Sequence, residues 1–86
     1  MGKRESKKSI TIEYFALLRE QRGCQSETIL TELETAADLF EDMKAKYSFS
    51  LKRNNVRVAI NQEFRDWTDK LENNDVVVFL PPVAGG

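Results

Sequence analysis

Apolar and polar residues alternate in the first patterned part of the chain. Ile10, Ile12 and Tyr14 are separated by polar residues, which predicts a strand with these three side chains on its core face. Phe15 then falls on the opposite face of that strand. The next segment, residues 16–22, contains good helix formers and stops at a glycine, so it predicts a short helix.

A second alternating stretch and an amphipathic helix follow. Residues 26–33 predict a second strand, with Ile29 on the side opposite Leu30. Thr35 followed by Asp38 resembles a capping box and predicts the start of the main helix. Apolar residues then recur at helical spacing, which favours a core-facing stripe over a groove for a partner. They are Ala36, Leu39, Phe40, Met43 and Tyr47.

The second half of the chain predicts three more strands. They lie at residues 56–60, 64–67 and 76–80, and the last is the most apolar of them. The connections at 61–63 and 73–75 contain asparagine, which tolerates positive φ better than most non-glycine residues. One helix on one mixed sheet buries this order of elements, so we expect an α+β fold.

The ends of the chain differ from its middle. Residues 1–8, with the sequence MGKRESKK, are rich in lysine and arginine and predict a disordered basic leader. Residues 9–80 carry the strand and helix patterns and predict one domain. Residues 81–86, PPVAGG, begin with two prolines that lack amide donors, so they predict an extended tail beyond the sheet.

The composition of the 86 residues excludes several kinds of partner, catalysis and metal site. A formal net charge of −1 offers no strong field for a polyanion, so we expect no nucleic-acid partner. With no histidine and one cysteine, Cys24, the chain lacks Ser-His-Asp or Cys-His catalysis, a disulfide framework and the usual ligands of a metal site. No apolar run approaches the roughly 20 residues of a membrane span, so we expect a cytoplasmic protein that does not bind membranes.

The candidate site of chemistry is the carboxylate of Gly86. Only four glycines occur, and two of them are Gly85 and Gly86. Because glycine has no Cβ, such an end can pass through a narrow channel and expose its carbonyl carbon to attack. A terminal carboxylate, with a pKa of about 3.5, is a poor electrophile at neutral pH. Adenylation by ATP on a partner enzyme would activate it toward a thiol, a persulfide or an amine.

Four segments resemble the small-subunit family of molybdopterin synthase, a group of ubiquitin-like sulfur carriers. They are YFALLRE at 14–20, TAADL at 35–39, VAINQE at 58–63 and PPVAGG at 81–86. Other ubiquitin-like carriers share the tail, whereas its combination with YFALLRE is specific. The resemblance implies a β-grasp fold, a mixed sheet packed on one main helix. One departure is the turn at 73–75, Asn-Asn-Asp, where the family usually has Asp-Gly or a similar turn.

The resemblance also implies a reaction cycle. An E1-like enzyme would use ATP to adenylate Gly86, and a sulfur donor protein would convert the adenylate to a thiocarboxylate. The sulfur would then be delivered to cyclic pyranopterin monophosphate in the large subunit, within a heterotetramer. This chain would bind no cofactor itself and would be a non-catalytic, sulfur-donating subunit, with the catalytic residues in its partner.

Site residues carried over from the family fall into two groups. The tail that would enter a pocket of the large subunit consists of Pro81, Pro82, Val83, Ala84 and Gly85, followed by Gly86. The expected docking surface consists of Phe15, Arg19, Phe64 and Leu80. Strand parity allows Phe15 and Leu80 to face outward, and the alternative is that the four are ordinary core or rim residues.

Three other functions stay open. The sulfur carrier of thiamine thiazole synthesis shares the fold and the Gly-Gly end, but it is generally shorter and lacks the YFALLRE segment. A ubiquitin-like modifier would be activated in the same way and would differ only in its acceptor, a lysine amine. An inert β-grasp interaction module would leave the terminal Gly-Gly unexplained. Cys24, with no second cysteine, is interpreted as an incidental thiol.

Overall fold

The strands and helices follow the predicted order in the computed structural model, which describes residues 7–82. The elements are β1 (Lys8–Tyr14), α1 (Ala16–Arg22), β2 (Ser26–Thr31), α2 (Ala36–Tyr47), a 3₁₀ turn (Arg53–Asn55), β3 (Arg57–Ile60), β4 (Glu63–Arg65) and β5 (Val76–Leu80). The five strands form one mixed sheet in the order β2-β1-β5-β3-β4. Only the central pair, β1 and β5, is parallel. No helix within residues 7–82 is long and apolar enough to cross a membrane.

Several boundaries differ from the predicted ones by a few residues. β2 ends at Thr31 rather than at residue 33, and β4 covers Glu63–Arg65 rather than 64–67. β1 begins at Lys8, a residue assigned to the leader, because Lys8 pairs with Thr31 in the antiparallel register of β1 and β2. Its ammonium group also donates to the carbonyl of Leu33 at 3.1 Å. The remaining predicted leader, up to residue 6, and the tail residues 83–86 lie outside the described part of the chain.

The sheet buries one face, as its alternating pattern predicts. Ile10, Ile12 and Tyr14 of β1 are almost fully buried, and so are Val77 and Phe79 of β5. On β2, Ile29 points toward the core and is half-buried, whereas Leu30 on the other face is exposed. The core therefore lies between one face of the sheet and the helices.

The main helix, α2, starts and packs as expected. The Thr35 hydroxyl accepts a hydrogen bond from the Asp38 amide at 3.1 Å, which caps the first turn. Phe40 projects from α2 onto the sheet, where its ring centre lies 5.1 Å from that of Phe79 and 5.4 Å from that of Trp67. These aromatic contacts fix the helix against β5, the strand that leads into the tail.

Two asparagine turns at one end of the sheet are tied to each other. Asn61 has a φ of 53° and its amide donates to the Asp75 carboxylate at 2.9 Å. The Asn61 side-chain oxygen in turn accepts from the Val76 amide at 3.0 Å, and Asp75 also accepts from the Glu72 amide at 2.8 Å. Because these bonds join the β3–β4 connection to the start of β5, they fix where the last strand begins.

Candidate functional site

The root of the tail lies at the end of the sheet where β1 and β5 finish. β1 and β5 run parallel with Tyr14 opposite Phe79, so both strands finish at the same end of the sheet, where Phe15 follows β1 and Leu80 is the last residue of β5. Pro81 and Pro82 continue directly from Leu80. Their missing amide donors explain why the strand stops there.

Register places two docking-surface residues on the face of the sheet that points away from α2. Leu80 is opposite Arg57 of β3, and Phe64 of β4 is opposite Ala59 of β3. Since side chains two residues apart on a strand share a face, Leu80 and Phe64 lie on the same side of the sheet. A groove of about 360 Å³ brings Phe64 and Leu80 together with Pro81 and Pro82.

The other two docking-surface residues belong to the start of α1. Phe15 precedes the helix, and its carbonyl accepts from the amides of Leu18 at 3.1 Å and Arg19 at 3.4 Å. Ala16 has a φ of 53°, which turns the chain sharply between strand and helix. Phe15 borders a separate hollow beside β2, so it is not part of the groove with Phe64.

The exposure of these side chains decides whether they are available to a partner. Phe64 is 58% exposed and Phe15 is 46% exposed, while Leu80 is half-buried and Arg19 is exposed. Exposed apolar side chains that cluster, as Phe64 does with Leu80 at the groove, commonly mark an interaction site. Phe15 and Phe64 are therefore not core residues. The role of the four residues in binding a partner stays a prediction.

A polar cluster holds α1 in place behind the docking surface. Arg22, at the end of α1, binds both Glu27 oxygens at 2.7 and 2.6 Å, and its guanidinium lies 4.0 Å from the centre of the Tyr47 ring. The Tyr14 hydroxyl donates to Glu27 at 2.7 Å. The Arg22 hydrogen bonds lower the pKa of Glu27, and burial raises the pKa of Tyr14 above its usual value. The charged pair therefore anchors the helix that carries Arg19.

One residue beside the groove was missed by the sequence reasoning. The Arg57 guanidinium carbon lies 3.9 Å from the centre of the Phe64 ring, and Arg57 also lines the groove. The alternation of Arg57 with Val58 could have placed it on the outer face, because Val58 is buried. Its stacking on Phe64 could not be seen, because the contact joins two strands.

The chemistry predicted for the tail rests on residues outside the described part of the chain. The structure does not describe residues 83–86, which include the predicted reactive carboxylate of Gly86. Residues 7–82 supply an exposed face, and regular strand structure ends at Leu80, directly before Pro81 and Pro82. This arrangement suits binding by the body and chemistry at the end of the chain.

Comparison with known proteins settles the family. The model of the ThiS family matches residues 12–86, which is most of the chain. The chain belongs to the ThiS family. This assignment and the fold described above confirm the β-grasp architecture expected from the sequence.

Relatives of this ThiS-family chain carry consistent names. Molybdopterin synthase sulfur carrier subunits of Haemophilus influenzae and Escherichia coli are each 29% identical over 80 residues, covering 90% of this chain and 99% of theirs. The solved structure of molybdopterin converting factor subunit 1 from Pyrococcus furiosus has a TM-score of 0.74 and 29% identity, covering 88% of this chain and 99% of that one. The resemblance inferred from the sequence is thereby confirmed.

Proposed function

We propose that this chain is the sulfur carrier of a molybdopterin synthase. The observation that carries the proposal is the alignment of 90% of the chain with two carrier subunits of that name, covering nearly their whole length. The geometry supports it, because Phe64 and Leu80 adjoin the root of the tail at Pro81 and Pro82. A partner that covers this face would receive the end of the chain.

The proposed chemistry takes place at the acyl carbon of Gly86. The carboxylate attacks the α-phosphate of ATP on an E1-like enzyme, and pyrophosphate leaves to give an acyl adenylate. A sulfur donor then attacks the acyl carbon and displaces AMP. A sulfide donor gives the thiocarboxylate directly, whereas a persulfide donor gives an acyl disulfide that a thiol reduces to the thiocarboxylate. In the large subunit the thiocarboxylate sulfur bonds to a carbon of cyclic pyranopterin monophosphate, and water then hydrolyses the resulting thioester, which leaves the sulfur on the pterin and regenerates the carboxylate for another cycle.

Each part of the chain has a separate task in this proposal. The body docks through Phe15, Arg19, Phe64 and Leu80, which exclude water from the interface when covered. The tail, residues 81–86, carries the acyl group over a distance of roughly 20 Å if it is extended. Catalytic groups are supplied by the partner.

The test is the intact mass of the chain after incubation with ATP, an E1-like enzyme and a sulfur source. The expected product has one oxygen replaced by sulfur, and it supports molybdopterin formation when the large subunit and cyclic pyranopterin monophosphate are added. A chain that gains no sulfur but becomes linked to lysine amines would show that it is a protein modifier. Sulfur transfer to a thiazole precursor, with none to the pterin, would identify the thiamine carrier instead.

Docking is tested with two matched substitutions of exposed apolar residues. Phe64→Asp should weaken binding to the large subunit at least about tenfold, because it places a charge in a desolvated contact. Leu30→Asp is the control, since Leu30 is 70% exposed on β2, at the far edge of the sheet from β4. Equal binding by both variants would contradict the assignment of the docking surface, and a melting curve for each variant establishes that it is folded.

A further inference from the structure

Arg57 differs from three nearby arginines that form ion pairs. Arg22, Arg53 and Arg65 each have a carboxylate oxygen within 2.6 to 2.9 Å. Among residues 7–82, no carboxylate oxygen lies within 4.0 Å of the Arg57 nitrogens, although Asp66 and the Arg65-bound Asp69 line the same shallow hollow. Its recorded contact is instead the face of Phe64, 3.9 Å from the ring centre. Among the described residues, the Arg57 guanidinium is therefore in no ion pair and remains free to form one with a partner.

The position of Arg57 connects the two parts of the docking surface on the sheet. It lies opposite Leu80 in the β3–β5 register and lines the groove together with Phe64, Leu80, Pro81 and Pro82. A partner that covers Phe64 and Leu80 must also cover, or closely approach, the Arg57 guanidinium. Burying a charge without a counter-charge opposes association, whereas a carboxylate in reach of it favours association.

Stacking prepares the guanidinium for a particular kind of ligand. When a guanidinium lies over an aromatic ring, its N–H groups remain directed outward in its own plane. That planar fork matches the two oxygens of a carboxylate, which it can bind through two parallel hydrogen bonds. The Phe64 ring restricts the rotamers of the Arg57 side chain beforehand, so less conformational entropy is lost on binding.

We infer that Arg57 is a specificity-determining residue of the docking surface, which takes a carboxylate side chain of the partner next to an apolar pocket for Phe64. This inference rests on the proposed function, and the partner is the large subunit of the synthase. A partner surface with an apolar pocket but no acidic residue at its border would be rejected, because Arg57 would lose its water without gaining a counter-charge.

The experiment measures the dissociation constant of the intact chain with the large subunit by calorimetry, at low salt and at about 0.3 M salt. Arg57→Gln keeps much of the stem and removes the charge, and we expect it to weaken binding at least about tenfold and to reduce the salt dependence. Arg57→Glu should weaken binding further, by at least about a hundredfold, because like charges then face each other. Arg57→Lys should recover only part of the affinity, since an ammonium lacks the planar fork.

Arg65→Gln is the charge-matched control. Arg65 follows Phe64 on β4 and lines the same hollow as Arg57 and Phe64, but its Nε donates to Asp69 at 2.6 Å, so its charge is already in an ion pair. We expect its affinity to stay within about twofold of that of the unsubstituted chain, because its charge is already paired. Melting curves of all variants confirm that the exposed substitutions leave the fold intact.

The outcomes separate this inference from the proposed function. If the unsubstituted chain binds the large subunit and Arg57→Gln binds it equally tightly or more tightly, the role of Arg57 is overturned. The sulfur carrier proposal then still stands. Equal losses in Arg57→Gln and Arg65→Gln also overturn it, because they indicate a general effect of net charge. If the unsubstituted chain does not bind the large subunit at all, the proposed function and this inference fail together.

Discussion

Glu27 joins three elements of the fold through its two carboxylate oxygens. It lies on β2 and receives hydrogen bonds from Arg22 at the end of α1 and from Tyr14 at the end of β1. Tyr14 also donates to the Met43 sulfur at 3.4 Å, which extends the cluster to α2. Side chains of Arg22 and Glu27 are only 22% and 18% exposed, so this pair is screened less than the surface pairs.

The Glu27 cluster should make the stability of the fold depend on pH. The Arg22 hydrogen bonds lower the pKa of Glu27 from its ordinary value of 4.5. A carboxyl group with a lowered folded-state pKa stabilises the fold above its unfolded-state pKa, and this contribution is lost as the pH falls through the folded-state pKa. We therefore expect Glu27→Gln to lower the free energy of unfolding by about 1–2 kcal/mol at pH 7. The difference should shrink progressively below about pH 4.

Urea denaturation at several pH values tests this expectation. Glu20→Gln is the control, because Glu20 is exposed on α1 and forms no ion pair with another residue of the described chain. It should change the free energy of unfolding by less than about 0.5 kcal/mol at any pH. A Glu27→Gln effect that is the same at pH 7 and in acid would mean that the ionic part of the cluster contributes nothing.

The two central residues of the β3–β4 connection share a backbone conformation but differ in their side-chain hydrogen bonds. Asn61 and Gln62 both have positive φ, 53° and 73°. Consecutive left-handed residues are typical of a tight hairpin turn whose twist matches that of the strands. The Asn61 side chain binds Asp75 and Val76, whereas no side-chain hydrogen bond of Gln62 is found within residues 7–82.

Glycine substitutions at these two positions should therefore have opposite effects. Gln62→Gly removes the steric cost of a left-handed side chain and should raise the free energy of unfolding by about 0.5 kcal/mol. Asn61→Gly removes the same cost but also removes the side-chain hydrogen bond to Asp75, a residue that is only 8% exposed. This substitution should therefore lower the free energy of unfolding by about 1–2 kcal/mol. Thermal and urea denaturation of the two variants measure the difference. Stabilisation by both substitutions would show that the Asn61 bonds are energetically neutral.

Periodicity explains which elements could be predicted from the sequence. The core faces of β1 and β5 and the capped start of α2 follow from local alternation and spacing, and the structure confirms them. The positive φ of Gln62 and the 3₁₀ turn at Arg53–Asn55 were missed, because the residue types at those positions have no strong preference for these conformations.

Contacts between distant elements account for what was missed at the candidate site. The outward position of Phe15 follows from strand parity, whereas Phe64 was expected on the surface only through the family resemblance; both are exposed. The Arg22–Glu27–Tyr14 cluster and the Arg57–Phe64 stack depend on strand order and register, which a single sequence does not fix.

At the scale of the whole molecule, the folded body and the tail depend on different properties. The described hydrophobic core includes no residue beyond Phe79. Pro81 is half-buried and Pro82 is exposed, and both line the groove beside Phe64 rather than the core. Changes at the very end of the chain should therefore have little influence on stability, whereas the proposed chemistry requires a free carboxylate on Gly86.

Deleting Gly86, or adding residues beyond it, should abolish sulfur transfer without lowering the melting temperature. Removal of one residue retracts the terminal carboxylate by roughly 3.5 Å, about the distance within which reacting atoms must meet. An added residue converts that carboxylate into an amide, which cannot be adenylated. Melting curves report on the body, and intact mass after ATP-dependent sulfur loading reports on the tail. A deletion that moves the melting temperature by more than about 2 °C would mean that the tail supports the fold. If an extended chain, shown by its mass to be unprocessed, still supports molybdopterin synthesis, then the sulfur does not travel on Gly86 and the sulfur carrier proposal is wrong.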